Sequence, residues 1–202
     1  MHLPNSAWAI VAVALSCAAP AHAADRSERF RQQDARVARV SDRLATAGEA
    51  LCRQMSAREG CSSVVELVPD AVVNAWADGK RVMITTAIVE QCRSDDELAI
   101  VIGHELSHNI LDHRRRLAAA GVEMGLLPTS AAGSATMRAT EEEADGLAVR
   151  MAGAAGYDLA QAAPFLGRLL GATGLRGRSA ATHPAAVRRL ALLTEAVARV
   201  RR

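Results

Sequence analysis

Two histidines and a glutamate in the stretch His104-Glu105-Leu106-Ser107-His108 could bind and use a metal ion. Residues four apart on an α-helix share one face, with their Cβ atoms about 5–6 Å apart. Both imidazoles can therefore reach one ion, and the glutamate between them can address a water molecule bound to the same ion. No other stretch of the sequence specifies a chemistry so definitely.

A third ligand for such an ion must come from elsewhere, since a catalytic zinc takes three protein ligands and keeps one position for water. The acidic run at 141–145 offers a carboxylate from a neighbouring helix, Glu141-Glu142-Glu143-Ala144-Asp145. An acid one turn further on can orient a ligating imidazole through its second ring nitrogen. The same run is equally typical of a solvated helix N-terminus, where the helix dipole favours acidic side chains. The residues alone leave both interpretations open.

The helix that carries the two histidines is predicted to begin near Asp95. Ser94-Asp95-Asp96-Glu97 is a capping box with additional acidic residues in the first turn. Apolar residues then follow at helical spacing, namely Leu98, Val101, Ile102, Leu106 and Ile110. The histidines therefore lie two to three turns inside a well-capped helix with a buried side.

The remaining segments predict an α+β fold that is mainly helical, a zincin-like domain with one small antiparallel sheet. Amphipathic patterns predict further helices over 27–56, 136–152, 158 to about 170, and from Pro184 onwards. β-rich runs lie at 64–68, 71–76 and 82–86. Asp78-Gly79 between the last two runs is a strong hairpin signal.

Composition favours one helical domain without a nucleic-acid partner. The chain has 202 residues, of which 50% are hydrophobic and only 2% aromatic, so aliphatic side chains must build the core. The net charge of +2 is too small to indicate binding to nucleic acid.

The N-terminal segment indicates export. Residues 1–23 contain no charged side chain, and an apolar run over 7–19 precedes Ala21-His22-Ala23, which fits a signal-peptide cleavage site. We predict a signal peptide over 1–23 and a single domain over 24–202 that is periplasmic or secreted, with no membrane span after removal of the leader. Because no Lys or Arg precedes the apolar run, an uncleaved N-terminal anchor is the alternative.

Three cysteines follow the leader. An oxidising compartment makes a Cys52–Cys61 disulfide plausible, closing a short loop after the first helix. The sequence does not fix this pairing against Cys92, which is also typical of a small buried apolar residue.

Several separated motifs occur together in one order: Asn74-Ala75-Trp76-Ala77-Asp78-Gly79, Ile84-Thr85, Ser94-Asp95-Asp96-Glu97-Leu98-Ala99, Gly103-His104-Glu105-Leu106-Ser107-His108, Glu141-x-x-Ala144-Asp145 and Thr182-His183-Pro184. This arrangement, over about residues 40–195, resembles the gluzincin family of HtpX-type heat-shock proteases, CAAX prenyl-protein proteases and periplasmic chaperone-proteases. Integral-membrane members of that family carry transmembrane helices around the catalytic domain. The present sequence resembles the small exported members instead.

The resemblance implies a zinc metalloendopeptidase that hydrolyses protein substrates in the cell envelope, with a role in protein quality control. It implies one Zn²⁺ per chain, bound by His104, His108 and Glu141, the glutamate being chosen because it lies four residues before Asp145. Asp145 would orient a ligating histidine. Glu105 would act as the general base that takes a proton from water.

The resemblance also implies contacts to substrate. The substrate would lie extended along a strand edge near Asn74, Ala75 and Trp76, although an ordinary hairpin explains that segment equally well. Arg189 lies where the family places an arginine and would contact substrate or support the structure.

His183 has three interpretations. It could act in catalysis by stabilising the oxyanion, or occupy the open position of the zinc and make the protein a latent or chaperone-like zinc-binding protein. It could also simply cap the last helix before Pro184. His113, beside Asp112 and three arginines, is most simply a solvated helix end.

Overall fold

The computed structural model describes residues 19–55, 61–122, 130–172, 194, 195 and 198. In chain order, the described elements are α1 (Ala19–Met55), β1 (Val64–Val68), β2 (Ala75–Ala77), β3 (Arg81–Thr85), α2 (Thr86–Gln91), α3 (Asp95–Ile110), α4 (His113–Ala119), α5 (Ala131–Ala154) and α6 (Leu159–Ala172). The mainly helical fold with one small sheet is confirmed. The predicted leader, apart from its last residues, and the predicted helix after Pro184, apart from residues 194, 195 and 198, lie outside the described residues.

The sheet is mixed, which corrects the predicted antiparallel sheet. Its order is β1-β3-β2, with β3 antiparallel to β2 and parallel to β1. The Asp78-Gly79 hairpin is present, and Gly79 takes the positive φ of +97° that glycine adopts without strain. After β1 the chain crosses to the far edge of the sheet, where β2 runs opposite to β1. The hairpin then returns as β3 between the two other strands, so β3 runs parallel to β1. The alternation of apolar residues predicts strands but not this order.

The second β-rich run forms a shorter strand than predicted. The strand itself extends only over Ala75–Ala77, whereas Ala71 and Val72 form a bend. The backbone N–H of Val72 donates to the Asp70 carboxylate at 2.8 Å, which closes a local turn. This side-chain hydrogen bond competes with strand pairing and explains the difference.

Helix α3 begins as predicted. The Ser94 side chain accepts from the backbone N–H of Glu97 at 3.3 Å, and the Glu97 carboxylate accepts from the N–H of Arg93 at 2.7 Å. The same carboxylate accepts from Arg168 of α6 at 2.6 Å. The start of α3 is therefore both capped and tied to a distant helix. From Glu97 to Ser107 the helix is buried throughout.

Helices α3 and α5 pack closely against each other. A Cβ atom added at Gly103 would lie 3.6 Å from Cα of Ala148, an ordinary van der Waals contact that shows how near the two backbones are. Helix α5 begins at Ala131 and not at residue 136, because the Ser130 side chain caps it by accepting from Gly133 N–H at 2.9 Å. The hydrophobic core surrounds this packing, with Val40, Leu44, Ile84, Leu98, Ile102, Met151 and Phe165 fully buried.

The hairpin is anchored to the C-terminal end of α3. The Asn109 side chain accepts from Gly79 N–H at 2.7 Å and donates to the carbonyl oxygen of Arg81 at 3.1 Å. Strand β2 thereby packs along the helix that carries the two histidines.

Cys52 and Cys61 form a disulfide, with their Cα atoms 5.7 Å apart, and Cys92 is a buried free thiol. The structure thus resolves the pairing that the sequence left open. Within the described ranges, no helix combines the length and the apolar character needed to cross a membrane.

Candidate metal centre

Helices α3 and α5 bring His104, His108 and Glu141 together. The Nε2 atoms of the two histidines lie 3.0 Å apart. One carboxylate oxygen of Glu141 lies 3.5 Å from His104 Nε2, and the other lies 3.4 Å from His108 Nε2. These ligand atoms all fall within 4.8 Å of one another, a spacing at which three residues could hold one metal ion.

Asp145 lies one turn after Glu141 and contacts the first histidine from behind. Its Oδ1 is 2.9 Å from His104 Nδ1, and the two side chains are only 6% and 5% exposed. Glu141, Asp145 and Ala148 share the face of α5 that packs on α3, since positions 4 and 7 residues apart lie on one side of a helix. The predicted proximity of Glu141 and Asp145 to the histidines is therefore observed.

His113 contacts the second histidine, and this residue corrects the sequence interpretation. It was expected at a solvated helix end, but it is fully buried. Its Nδ1 lies 3.0 Å from His108 Nδ1, and its Nε2 lies 3.2 Å from the Glu143 carboxylate. Burial lowers the pKa of His113 although Glu143 opposes this, so the imidazole is favoured in its neutral form.

Glu143 is itself held by Arg116 of α4. Both carboxylate oxygens of Glu143 accept from the guanidinium, one of them at 3.1 Å. This pair lowers the pKa of the Glu143 carboxyl, with a smaller contribution in the same direction from His113, while partial burial opposes both. Glu143 is therefore ionised at neutral pH and acts only as a hydrogen-bond acceptor.

The hydrogen-bond partners fit a cation between the histidines. An ionised Asp145 accepts from Nδ1–H of His104, which leaves a lone pair on its Nε2. If His108 is likewise protonated on Nδ1, two nitrogen lone pairs and a carboxylate converge on one point. Such groups repel each other at 3.0 Å unless a cation lies among them. The donor set of two imidazoles and one carboxylate is one that Zn²⁺ accepts.

Glu105 follows His104 on α3 and is only 4% exposed. The other predicted residues lie on the sheet or outside the described part of the chain. Ala75 and Trp76 belong to β2, an edge strand, and Asn74 immediately precedes it. His183 and Arg189 fall outside the described residues, so their predicted roles stay predictions.

His113, Glu143 and Arg116 are the residues that sequence reasoning missed. A residue five positions after His108 does not share its helical face, so spacing gave no signal. The chain reaches this position because Asp112 adopts a left-handed conformation, with φ of +54°, between α3 and α4. Aspartate tolerates that conformation better than most residues. Asp112, directly before His113, was therefore the only local indication in the sequence that the chain turns at this point.

Comparison with known proteins supplies the family context. A model described as Peptidase family M48 matches residues 31–135 and 123–197, so the first match contains both histidines and the second contains Glu141. The mitochondrial metalloendopeptidase OMA1 of Arabidopsis thaliana is 30% identical over 157 residues. The match covers 68% of this chain and 32% of that protein, so the chain spans about a third of the length of this curated relative.

Proposed function

The chain belongs to peptidase family M48, and from this premise we propose that it is a zinc-dependent metalloendopeptidase acting on protein substrates. Membership of this family identifies the chain as a metallopeptidase. The identity of the metal, the roles of single residues and the substrates belong to the proposal. The observation that carries it is the convergence of His104, His108 and Glu141 within 4.8 Å at the buried crossing of α3 and α5.

In this proposal the three converging residues hold the metal, and Asp145 orients His104. When bound, a zinc ion would supply Lewis acidity, which polarises a peptide carbonyl and lowers the pKa of a water molecule towards ~7. Glu105 takes the proton of the attacking water and later returns it to the leaving amine. Burial excludes bulk water from the Glu105 carboxylate, which keeps its proton transfers directed at the substrate.

Strand β2 is the proposed binding edge for substrate. Asn74 accepts from Thr85 N–H and Asp78 donates to the Arg81 carbonyl, so residues 74 and 78 face β3. Since strand residues alternate, the backbone groups of Ala75 and Ala77 face the other way. No strand among the described residues pairs with that edge. An extended peptide could therefore add there as a further strand.

Peptides methylated on single backbone nitrogens test this edge. Only alternate amides of an added strand point towards β2, so methylation should weaken binding at every second position of the peptide. The readout is inhibition of cleavage by each methylated peptide. Equal effects at successive positions would argue against strand addition.

The main experiment compares wild type with Glu105→Gln and a matched surface variant, Glu49→Gln. Glu105→Gln should reduce cleavage of a casein-type substrate by about 10²- to 10⁴-fold, because general acid–base catalysis contributes that much. Metal analysis should find one zinc per chain in all three proteins, since Glu105 is not a proposed ligand. Undiminished cleavage by Glu105→Gln would refute the mechanism, and a wild type without zinc would refute the metal assignment.

The cell envelope is the proposed location, with protein quality control as the proposed role. The uncharged apolar leader predicted over 1–23 supports export. The Cys52–Cys61 disulfide supports an oxidising compartment, because such bonds are rare in the reducing cytosol. Fractionation of cells that express the full chain tests the location, and recovery in the cytosol would contradict it.

A latent or chaperone-like protein, with its zinc shielded by His183, is the alternative that the sequence raised. His183→Ala separates the possibilities: activity should rise if His183 blocks the metal and fall if it stabilises the oxyanion. Unchanged activity would leave His183 with only its capping role.

A further inference from the structure

His113 lies at the junction of two helices and is fully enclosed. It is the first residue of α4 and has no exposed surface. One ring nitrogen faces His108 at 3.0 Å, and the other faces Glu143 at 3.2 Å. Burying an imidazole costs free energy unless both nitrogens find partners, and here both do.

His113 on α4 has partners on two other helices, and one of those partners is bound in turn by a residue of α4. His108 belongs to α3, Glu143 belongs to α5, and Arg116 follows His113 by three residues on α4. Residues three apart lie on one helical face, so His113 and Arg116 both point at Glu143. Arg116 binds both carboxylate oxygens of Glu143, which orients that carboxylate towards His113.

The direction of each hydrogen bond follows from this arrangement. The Glu143 carboxylate can only accept, so the proton of His113 lies on Nε2. Nδ1 of His113 then carries a lone pair and accepts from Nδ1–H of His108. His108 therefore keeps its Nε2 lone pair, the atom that lies 3.0 Å from His104 Nε2. Every N–H in the series points away from the candidate metal centre.

We propose that His113 is a positioning residue that, held by Glu143 and Arg116, fixes His108 as the Nδ1–H tautomer, so that the Nε2 of His108 carries the lone pair that would bind the metal. The proposal rests on the proposed zinc site and adds residues to it. The two histidines are then oriented differently. Asp145 holds His104 directly, whereas a second imidazole stands between His108 and its carboxylate.

Nitrogen NMR of the full, zinc-loaded chain tests the tautomers directly. Two-bond ¹⁵N–¹H correlations should report Nδ1–H for His108 and Nε2–H for His113. A ring proton on Nδ1 of His113 would overturn the proposal, since that nitrogen could not then accept from His108. This readout does not depend on catalytic activity.

Zinc affinity provides the second test, measured by competition with a chromophoric chelator. Glu143→Ala should weaken zinc binding by up to about 10-fold, less than the 10- to 100-fold usual for a direct partner of a ligating histidine, because His113 stands between Glu143 and His108. Glu143 is partly exposed, so this variant should fold. Glu142→Ala, one residue earlier on the same helix, is the matched control and should retain wild-type affinity.

Two variants of similar size probe His113 itself. His113→Asn retains an oxygen near the Nδ1 position and should bind zinc more tightly than His113→Leu, which offers no acceptor. If His113→Leu fails to fold, Glu143→Ala and the tautomer measurement still decide.

The outcomes separate the two proposals. A wild-type chain that binds no zinc would overturn the proposed function and this inference with it. Zinc binding by wild type, with Glu143→Ala indistinguishable from Glu142→Ala, would overturn only the positioning role.

Discussion

Two substitutions of Asp145 test how much its hydrogen bond to His104 contributes to zinc binding. Its carboxylate lies 2.9 Å from His104 Nδ1, and neither side chain is more than 6% exposed. Bulk water therefore does not compete with this carboxylate for the His104 N–H in the native protein. We consider two variants, Asp145→Ala, which removes the acceptor, and Asp145→Asn, which keeps an acceptor oxygen but loses the charge.

The magnitudes follow from the hydrogen bond to His104 that each variant loses or weakens. A hydrogen bond to a charged group contributes about 1.5–3 kcal/mol. At about 1.4 kcal/mol per factor of ten, Asp145→Ala should raise the zinc dissociation constant about 10- to 150-fold. Charge-assisted hydrogen bonds are roughly twice as strong as neutral ones, so Asp145→Asn should lose about half of that free energy. Its dissociation constant should rise only about 3- to 13-fold.

The assay is chelator competition at constant pH, with Glu142→Gln as the control on the same helix. The free energy of unfolding of each metal-free protein, measured by denaturant titration, separates a loss of affinity from a loss of fold. The reasoning is refuted if Asp145→Ala binds zinc as tightly as the control. It is also refuted if Asn is as damaging as Ala, because the retained oxygen would then contribute nothing.

Three further predictions concern groups outside the metal centre. The backbone N–H groups of Arg81 and Lys80 lower the pKa of Asp78 from 3.8 to about 2, so this carboxylate stabilises the fold above pH 4 and ceases to do so as the pH falls through 2. Denaturant titrations should therefore find a larger loss of stability between pH 4 and 2 for wild type than for Asp78→Asn, and equal losses would contradict the assignment. Burial raises the pKa of the Cys92 thiol to about 12, so a thiol reagent at pH 8 should label Cys92 only after unfolding, and labelling of Cys92 in the native protein would refute this. Replacing both Cys52 and Cys61 by serine should lower the free energy of unfolding by about 2.6 kcal/mol for a separation of 9 residues, and an unchanged value would show that loop closure does not stabilise the fold.

Local features of this chain could be predicted because neighbouring residues specify them. Ser94 and Glu97 cap α3 through contacts within four residues. The Asp78-Gly79 turn closes on itself through the Asp78 carboxylate and the N–H groups that follow it. The pairing of His104 with His108 needs only the pitch of one helix. Each of these predictions holds whatever the rest of the chain does.

The sheet order and the start of α5 could not be predicted in this way. Whether β3 lies between β1 and β2 depends on packing against the helices, which the apolar alternation of a strand does not encode. Three adjacent glutamates, 141 to 143, were chemically equivalent as candidates on their residue types alone. The crossing of α3 and α5 at Gly103 and Ala148 turns the first glutamate inward and leaves the third on Arg116.

By itself, the sequence determined the two imidazoles, the glutamate between them and the capped helix that presents them, since all of these depend on spacing along one chain segment. Only the tertiary structure decided which carboxylates meet the imidazoles and how each ring is oriented. His113 makes the difference plain, because a left-handed residue at Asp112 carries it from an apparent surface position into contact with His108 and Glu143. Contacts among three helices have no signature in the spacing of any one of them.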